Sequence, residues 1–390
     1  MAEVNTTLPG MSYTVFGNTT ILSDGFDNST AVNYICSEAP DEYAVFYKWA
    51  QFVTGLIIYP IVCMVGIIGN TLTLIVLGHK NMRTATNVYL SSLAVSDTIK
   101  LLNDLMYFVL LLLKMENLDD DNKIIFNFYP YAHYIFNMSV CVTAWLTVSV
   151  AVDRYIAVCH ITKAKEMCTI ARARIVSTVV FLSMITLSIP SALRYKPMLQ
   201  YDDHLNISCY KIQQSTLGQN DQFMTPYTWV QNSLRSIIPL IVLIFLNVRI
   251  INELRKQRVP GKKLSSRNRI TLMLIVIILC FVVCIMPDAV MSLFFGFGYV
   301  DETSLVRGIR EITDSLLAIN SALNFVLYCS MSKIFRTTFM KIFCNNWTVQ
   351  RKVSERLLQN GHSGAAVSVA RKDSNSCSGN NNKDSRETYV

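Results

Sequence analysis

Asp97 is the first residue whose chemistry stands out, because it lies in the middle of the strongly apolar segment 88–113. A carboxylate in such surroundings is costly and is by default a functional hypothesis. Other apolar segments offer polar side chains with oxygen atoms rather than a basic partner: Asn70, Thr143, Asn320 and Asn324. Oxygen ligands suit a small hydrated cation such as sodium, or a water network that rearranges with a change of state. A satisfied buried carboxyl is the alternative.

The tripeptide Asp153-Arg154-Tyr155 places a carboxylate beside a guanidinium at the end of another apolar segment. An adjacent ion pair can hold Arg154 in place. Neutralising Asp153 would release Arg154 to hydrogen-bond the backbone carbonyls of a partner, which makes a two-state element that a distant ligand could bias. The motif therefore predicts a switch.

Three further aspartates, Asp104, Asp288 and Asp314, occur toward the opposite ends of the apolar segments. They are interleaved with the aromatic residues Tyr107, Tyr134, Phe136, Trp229 and Phe294. This lining favours a cationic, aromatic ligand, although aromatic residues in helices also serve plain packing. Lys100 could pair with Asp104, one helical turn away, and Asp288 and Asp314 would then be the better partners for a ligand guanidinium. Arg235 would meet an acceptor oxygen.

Known catalytic patterns do not occur in a fitting context: there is no G-x-S-x-G, H-E-x-x-H or Gly-rich phosphate loop. We therefore predict that the protein is not an enzyme and holds no cofactor beyond the sodium ion considered at Asp97. A transporter is a rival interpretation, since polar residues in helices could line a substrate path. Against it, the chain has no paired internal repeat.

The elements that position these side chains are predicted to be membrane-spanning helices, because 52% of the residues are hydrophobic and only 16% are charged. A spanning helix needs roughly 20 mostly apolar residues. Seven segments meet this requirement: 50–78, 88–113, 128–158, 173–193, 227–249, 270–297 and 306–330. The predicted fold is an all-α membrane protein, a bundle of seven transmembrane helices.

The distribution of charge predicts an extracellular N-terminus and a cytoplasmic C-terminus, since basic residues remain on the cytoplasmic side. Basic residues crowd the loop from Arg255 to Arg269, whereas the loop after the second segment is acidic. Four N-x-S/T glycosylation triplets fall on the predicted outer side, at Asn5, Asn18, Asn28 and Asn206. The net charge of +8 therefore indicates contact with the anionic inner leaflet of the plasma membrane rather than with nucleic acid.

The chain divides into four predicted parts: an extracellular glycosylated leader at 1–45, the transmembrane domain at 46–330, an amphipathic membrane-surface helix at 331–344, and a disordered cytoplasmic tail at 345–390. Cys344 is a predicted palmitoylation site, with a free thiol as the alternative. Phosphorylated serines of the tail could recruit arrestin. The terminal residues Thr388 and Val390 fit the peptide groove of a PDZ domain.

Several short motifs occur in a fixed order along the seven segments. They are Gly69-Asn70, LAVSD ending at Asp97, DRYIAVCH from Asp153, Pro239, FxxCxxP from Phe281 to Pro287, and NFVLY from Asn324. Over roughly residues 50–345 the chain thereby resembles a rhodopsin-like (class A) G-protein-coupled receptor. The runs VAVDRYIAVCHITKAKEMCTIARAR and NSALNFVLYCSMSKIFR are similar to FMRFamide-type neuropeptide receptors and related orphan receptors.

This resemblance implies that an extracellular ligand activates a heterotrimeric G protein. It also implies which residues take part in coupling and activation: Asp153, Arg154, Tyr155, Asn324 and Tyr328. Three residues depart from the family pattern. Phe325 replaces a proline, which puts the usual helix kink in doubt, Ile285 replaces a tryptophan, and Tyr129 replaces a cysteine. The family's usual outer disulfide cannot form without that cysteine, and Cys36 with Cys209 is the remaining pair.

Residues missing from the chain narrow the ligand class that the resemblance implies. Ala318 stands where an opsin has its retinal-binding lysine, and Phe136 stands where amine receptors have an aspartate. A short amidated peptide ending in Arg-Phe fits the aromatic surface, the aspartates and the acidic outer loops. The predicted ligand-binding residues are Asp104, Tyr107, Phe136, Trp229, Asp288 and Asp314. A receptor for a small aromatic or amino-acid-like ligand is the alternative.

Overall fold

A computed structural model describes residues 34–35, 41–115, 121–202, 207–257, 266–295 and 302–343. Seven long helices make up most of this part: α1 (Ala44–Leu77), α2 (Ala85–Met115), α3 (Asp121–Cys159), α4 (Ile170–Leu193), α5 (Asp221–Lys256), α6 (Ser266–Phe295) and α7 (Ser304–Met331). Each predicted segment overlaps one of these helices. The predicted seven-helix bundle is therefore confirmed.

Within the described residues, six of the seven helices are long and apolar enough to span a membrane. The helix outside this group is α2, which has 31 residues but carries Asp97, Lys100 and Asp104 in the middle of its apolar sequence. All three side chains are buried in the bundle. The charges of α2 therefore face protein rather than lipid, as charged residues inside a membrane must.

Two of the helices, α1 and α5, are interrupted by wider π-helical turns. These turns are Phe52–Ile58 in α1 and Ser233–Ile237 in α5. A proline is the second residue of the α-helix that follows each turn, Pro60 in α1 and Pro239 in α5. Proline has no N–H to donate and its ring crowds the preceding turn. A local change of hydrogen-bond pattern before it accommodates both effects.

The apolar core lies where α3, α5, α6 and α7 meet. Its buried members include Val140, Ala144, Val148, Leu243, Leu246, Ile278, Phe281, Ile285 and Leu317. Ile285, which replaces the tryptophan of the family pattern, is fully buried among them. An aliphatic side chain thus fills this position by close packing, without an indole ring.

A group of three rings joins the first half of α3 to the segment that follows α4. Tyr129 and His133 of α3 stack with their ring centroids 6.3 Å apart, and Tyr195 meets them edge-on at 5.7 and 5.5 Å. Tyr129 is the residue that replaces the family's cysteine. An aromatic cluster therefore joins α3 to the first residue of the strand after α4, at the helix position where the family pattern has its disulfide cysteine.

Tyr195 begins a three-stranded sheet with the strand order β1-β3-β2. The strands are β1 (Tyr34–Ile35), β2 (Tyr195–Asp202) and β3 (Ile207–Gln214). β2 and β3 are antiparallel, whereas β1 runs parallel to β3 with Tyr34 opposite Cys209. Cys36 lies outside the described residues, so the Cys36–Cys209 disulfide stays a prediction.

The first turn of α7 is capped by Asp41, which precedes α1. The backbone N–H of Ser304 donates to Oδ2 of Asp41 at 2.7 Å, while Thr303 supplies no side-chain cap. A carboxylate here meets a free N–H and the positive end of the helix dipole. This hydrogen bond lowers the pKa of Asp41 below its ordinary value.

A separate helix, α8 (Lys333–Phe343), occupies most of the predicted amphipathic segment 331–344. Phe339 and Phe343 pack together along it, with ring centroids 4.9 Å apart. Its position on a membrane surface stays a prediction. Other predicted features lie outside the described residues: glycosylation at Asn5, Asn18, Asn28 and Asn206, palmitoylation at Cys344, and the PDZ ligand at Thr388 and Val390.

α1 approaches α7 closely at two glycines. A Cβ atom on Gly66 would lie 2.8 Å from the Cβ of Ala322, and one on Gly69 would lie 2.9 Å from the Cβ of Phe325. These separations are shorter than real Cβ contacts, so the approach depends on glycine, as is common between membrane helices. Phe325 replaces the family's proline, and α7 continues as a helix through it.

Gly66→Ala should lower the melting temperature of the detergent-solubilised protein, because overpacking a tight contact costs about 1–3 kcal/mol. Gly78→Ala is the matched control, since Gly78 is exposed at the end of α1 and has ordinary helical backbone angles. Equal melting temperatures for the two variants would contradict the close approach of α1 to α7.

Candidate functional site

Asp97 is fully buried in α2 and accepts hydrogen bonds from two other helices. Thr143 of α3 donates to Oδ1 at 3.0 Å, and Ser321 of α7 donates to the same oxygen at 3.1 Å. The amide nitrogen of Asn324 donates to Oδ2 at 2.6 Å. Asn320 is not among these partners. Successive residues of an α-helix point about 100° apart, so Ser321 takes the place that the sequence suggested for Asn320.

The groups around Asp97 fit a small cation in part. Its carboxylate and the hydroxyl oxygens of Thr143 and Ser321 are hard ligands of the kind that sodium accepts. Asn324 turns its amide nitrogen toward the carboxylate and cannot ligate a cation with that atom. Asn70 adds a buried Oδ1 that has no hydrogen-bond donor in the described part of the chain, while its Nδ2 donates to the Ser321 carbonyl at 3.0 Å. A sodium ion held by Asp97, Thr143 and Ser321 would neutralise the carboxylate.

The Asp153–Arg154 ion pair is formed at the end of α3. Arg154 Nη2 donates to Oδ2 of Asp153 at 2.6 Å. The hydroxyl of Thr86 on α2 donates to the same carboxylate oxygen at 2.7 Å and accepts from Arg154. Arg154 Nε is buried and has no acceptor among the described residues. The guanidinium is therefore bound on one side and keeps an N–H that another acceptor could take.

The other residues with predicted roles in coupling make separate contacts. Tyr155 packs edge-on against His160, with ring centroids 5.4 Å apart. Tyr328 of α7 is buried, and Asn324 of the same helix bonds Asp97. α7 is thus linked to the centre of the bundle through Asn324, whereas Arg154 is linked to α2 through Thr86.

Phe136 of α3 lies between two buried cations. The Nζ of Lys100 on α2 and the guanidinium carbon of Arg235 on α5 are each 5.2 Å from its ring centroid. Lys100 forms an ion pair with Asp104, and Arg235 donates two hydrogen bonds of 2.8 Å to Asp288 of α6. We call these five residues the charged layer. Ion pairing and the cation–π contacts together lower the cost of burying the charges.

Arg235 joins three helices at this layer. It belongs to the π-helical turn of α5, and its Nη1 donates to Oδ1 of Asn137 on α3 at 3.1 Å. Its Nη2 donates to both carboxylate oxygens of Asp288 on α6, and such charge-assisted hydrogen bonds are stronger than those between neutral groups. The sequence suggested that Arg235 would meet an acceptor oxygen, and Asp288 and Asn137 of the protein itself supply such oxygens.

The charged layer changes the expectation for the predicted ligand-binding aspartates. The pairing of Lys100 with Asp104 is confirmed. A ligand guanidinium at Asp288 would have to share this carboxylate with Arg235 or displace Arg235 from it. Trp229 of α5 is 53% exposed, so it is less enclosed than Phe136 or Asp288.

A carboxylate that the sequence pattern did not single out, Glu311 of α7, is also buried. It accepts hydrogen bonds from Tyr107 of α2 at 2.8 Å and from Thr54 of α1 at 3.3 Å. Glu311 precedes Asp314 by one helical turn, and this i,i+3 acidic pair was the available signal. The structure therefore brings Tyr107 to a carboxylate other than the three that were expected.

Two hydroxyl groups with structural roles, those of Thr86 and Ser321, were also missed. Serine and threonine are frequent in membrane helices, where they commonly bond within their own helix or across to another. Their presence in the sequence alone does not indicate which of them face a buried charge. Only the contacts of Asp153 and Asp97 identify them.

Asp97→Asn should abolish any rise in melting temperature that sodium chloride gives over choline chloride, because it removes the charge with little change in volume. The variant should still reach the membrane. Asn320→Ala is the matched control and should keep the sodium response, since Asn320 does not contact Asp97. A sodium response that survives in Asp97→Asn would contradict a cation site at this carboxylate.

Comparison with known proteins places this arrangement in a family. The family model described as "7 transmembrane receptor (rhodopsin family)" matches residues 69–328. The FMRFamide receptor of Drosophila melanogaster is 24% identical over 328 residues, which cover 82% of this chain and 59% of that protein. The chain thus spans about three fifths of the length of that relative.

Two other relatives match more of their own length. The sex peptide receptor of Drosophila melanogaster is 26% identical over 364 residues, covering 85% of this chain and 80% of the receptor. Somatostatin receptor type 1 of Rattus norvegicus is 25% identical over 302 residues, covering 74% and 71%.

The family match extends from within α1 to within α7 and covers more than half of the chain. It includes the Asp97 network, the Asp153–Arg154 pair and the charged layer. Proteins of this family are signalling receptors and not enzymes. The chain is therefore a multi-pass membrane protein that belongs to the rhodopsin family of seven-transmembrane receptors, the class A G-protein-coupled receptors.

Proposed function

We propose that this receptor binds a short extracellular neuropeptide with an amidated Arg-Phe-like end and activates a heterotrimeric G protein. The observation that carries the proposal is its similarity to receptors named for peptides, namely FMRFamide, sex peptide and somatostatin. Their identities of 24–26% support the peptide class. The amidated Arg-Phe end rests on the chemistry of the residues in the bundle.

The charged layer disfavours a small amine as the ligand. Phe136 stands where amine receptors have an aspartate, and the two groups 5.2 Å from its ring centroid are cations. A ligand ammonium in this place would meet Lys100 and Arg235 rather than a free carboxylate. The carboxylates that could offset the repulsion between a ligand ammonium and these cations are already paired with the cations.

The same layer supports a peptide amide as the ligand. Lys100 and Arg235 carry only hydrogen-bond donors, which suit the carbonyl oxygens of a peptide and of its terminal amide. The Phe136 ring offers an aromatic surface for a ligand phenylalanine. Acidic groups near the outer part of α7, Glu311 and Asp314, complement a ligand arginine.

The proposal includes a location and further partners. Basic loops between the helices favour a plasma-membrane receptor with an extracellular N-terminus and a cytoplasmic C-terminus. The tail at 345–390 is the proposed site for arrestin and for a PDZ-domain protein at Thr388 and Val390.

A panel of peptides applied to cells that express the full chain tests the proposal, with calcium and cyclic-nucleotide signals as the measurement. We expect a response at sub-micromolar concentration to an Arg-Phe-amide peptide and its loss with the free acid. Untransfected cells are the control. Activation by small aromatic molecules or amino acids, with silence toward all peptides, would replace the proposed ligand class.

Arg154→Ala should abolish G-protein activation and leave ligand binding unchanged, because Arg154 lies far along α3 from Phe136. Thr86→Val should instead raise the activity without ligand, since it removes the hydroxyl that bonds both Asp153 and Arg154. Nucleotide exchange and ligand binding on the same membranes measure the two effects. Full coupling in Arg154→Ala would contradict the role of this residue.

A further inference from the structure

Glu311 is a buried carboxylate at the contact of three helices. It lies seven residues beyond Ser304, the first residue of α7, which is a depth of about 10 Å at 1.5 Å per residue. Its side chain is 4% exposed. Thr54 of α1 and Tyr107 of α2 are its hydrogen-bond partners.

One carboxylate oxygen of Glu311 is well satisfied. Gln51 Nε2 donates to the hydroxyl of Tyr107 at 2.9 Å, and that hydroxyl donates to Oε1 of Glu311 at 2.8 Å. A phenol has a single proton to give, and here its oxygen also accepts. Because the Tyr107 oxygen accepts from Gln51, its O–H is directed toward Oε1 of Glu311.

The other oxygen, Oε2, has a weaker partner. The hydroxyl of Thr54 is 3.3 Å from Oε2 but only 2.8 Å from the backbone carbonyl of Ala50. Thr54 has one proton for these two acceptors, and the shorter contact is the usual bond of a helical threonine to its own preceding turn. Oε2 is therefore left without a committed donor.

Glu311 also lacks the basic partner that three other buried carboxylates have. Asp104, Asp288 and Asp153 each have a lysine or arginine nitrogen within 2.8 Å. Among the described residues no basic side chain forms an ion pair with Glu311. Asp314, one turn along α7, adds negative charge nearby. An ionised carboxylate in this position is destabilised until a positive group joins it.

The backbone beside Oε2 is irregular. Thr54 belongs to the π-helical turn Phe52–Ile58, as Arg235 of the charged layer belongs to the π-helical turn of α5. Such turns occur frequently at functional sites, because they redirect side chains that a regular helix would place elsewhere. In the described part of the chain, the two π-helical turns thus each contribute a residue that contacts a buried charge, Thr54 and Arg235.

We propose that Oε2 of Glu311 binds the positively charged group of the peptide ligand, a guanidinium or an ammonium, and that Tyr107 acts as a positioning residue for this carboxylate. The inference rests on the proposed peptide ligand and names the residue that selects its charge. The side chain of a ligand arginine at the outer end of α7 is long enough to span much of the distance to Glu311. The ligand cation supplies the positive charge that no basic side chain of the described residues provides to Glu311.

The test compares two agonist peptides that are identical except at one position. One peptide has arginine there and the other has citrulline, which has nearly the same shape but no charge. On the unchanged receptor the citrulline peptide should be about 10- to 100-fold less potent, because it loses a charge-assisted hydrogen bond. On Glu311→Gln the arginine peptide should lose about the same factor, whereas the citrulline peptide should keep its potency. The two peptides should therefore be about equally potent on Glu311→Gln. A double-mutant cycle over peptide and receptor then measures the coupling between the ligand arginine and Glu311.

Two control variants separate recognition from other effects. Glu42→Gln removes one negative charge from an exposed position just before α1 and should leave both potencies unchanged, which excludes long-range attraction as the cause. Tyr107→Phe should weaken the arginine peptide more than the citrulline peptide. Surface expression is measured for each variant by antibody binding to an N-terminal tag.

The outcomes distinguish this inference from the proposed function. Equal potency of the two peptides on the unchanged receptor, or equal losses for both on Glu311→Gln, would overturn the role of Glu311 while the peptide receptor stands. Silence toward every peptide would overturn the proposed function. In that case the melting temperature of the purified receptor tests whether Glu311 binds a cation. Agmatine is the guanidinium probe, and sodium is compared with choline as the probe for a free metal ion.

Stabilisation by agmatine that Glu311→Gln abolishes would support a site for an organic cation. A stabilisation by sodium that Glu311→Gln abolishes and Asp97→Asn leaves in place would instead assign Glu311 to a free metal ion and overturn the inference. The absence of any effect of agmatine that depends on Glu311 would also overturn it.

Discussion

Burying an ionised side chain away from water costs several kcal/mol unless an opposite charge and hydrogen bonds accompany it. This cost governs the arrangement of the bundle. A single helix, α2, brings three charged residues into the interior: Asp97, Lys100 and Asp104. Lys100 and Asp104 neutralise each other, whereas Asp97 depends on hydroxyl and amide donors from α3 and α7. The orientation of α2 about its own axis is therefore constrained by charge as well as by apolar packing.

The buried charges form separate groups along the bundle, and each group joins different helices. Asp153 and Arg154 tie α3 to α2 through Thr86. Arg235 and Asp288 tie α5 to α6 beside Phe136. A ligand that rearranges one group changes the contacts of helices that also hold another group. Bistable contacts of this kind are how small shifts at one site become larger movements elsewhere.

The departures from the family pattern are compensated by nearby packing. Phe325 lies over Gly69, where the absence of a side chain leaves room for its ring. Tyr129 replaces a cysteine and joins His133 and Tyr195 in a ring cluster. Ile285 fills a core position by close packing. The residues that stand in place of a disulfide cysteine, a proline and a tryptophan are therefore each accommodated by packing in the described part of the chain.

The sequence by itself determined the seven helices, the burial of Asp97 and the adjacency of Asp153 and Arg154. These follow from local properties: the length of apolar runs, the cost of a charge within them, and neighbouring positions in the chain. The pairing of Lys100 with Asp104 was also foreseen, since it needs only the helical repeat.

Only the tertiary structure decided which helix faces meet. Arg235 and Asp288 are on different helices, and no local pattern indicates that one neutralises the other. Ser321 rather than Asn320 faces Asp97, a difference of one residue that depends on the rotation of α7 about its axis. Glu311 became notable only when its neighbours proved to be hydroxyl groups without a cation. Rotation and pairing of this kind arise from the packing of all seven helices together, which the local sequence does not encode.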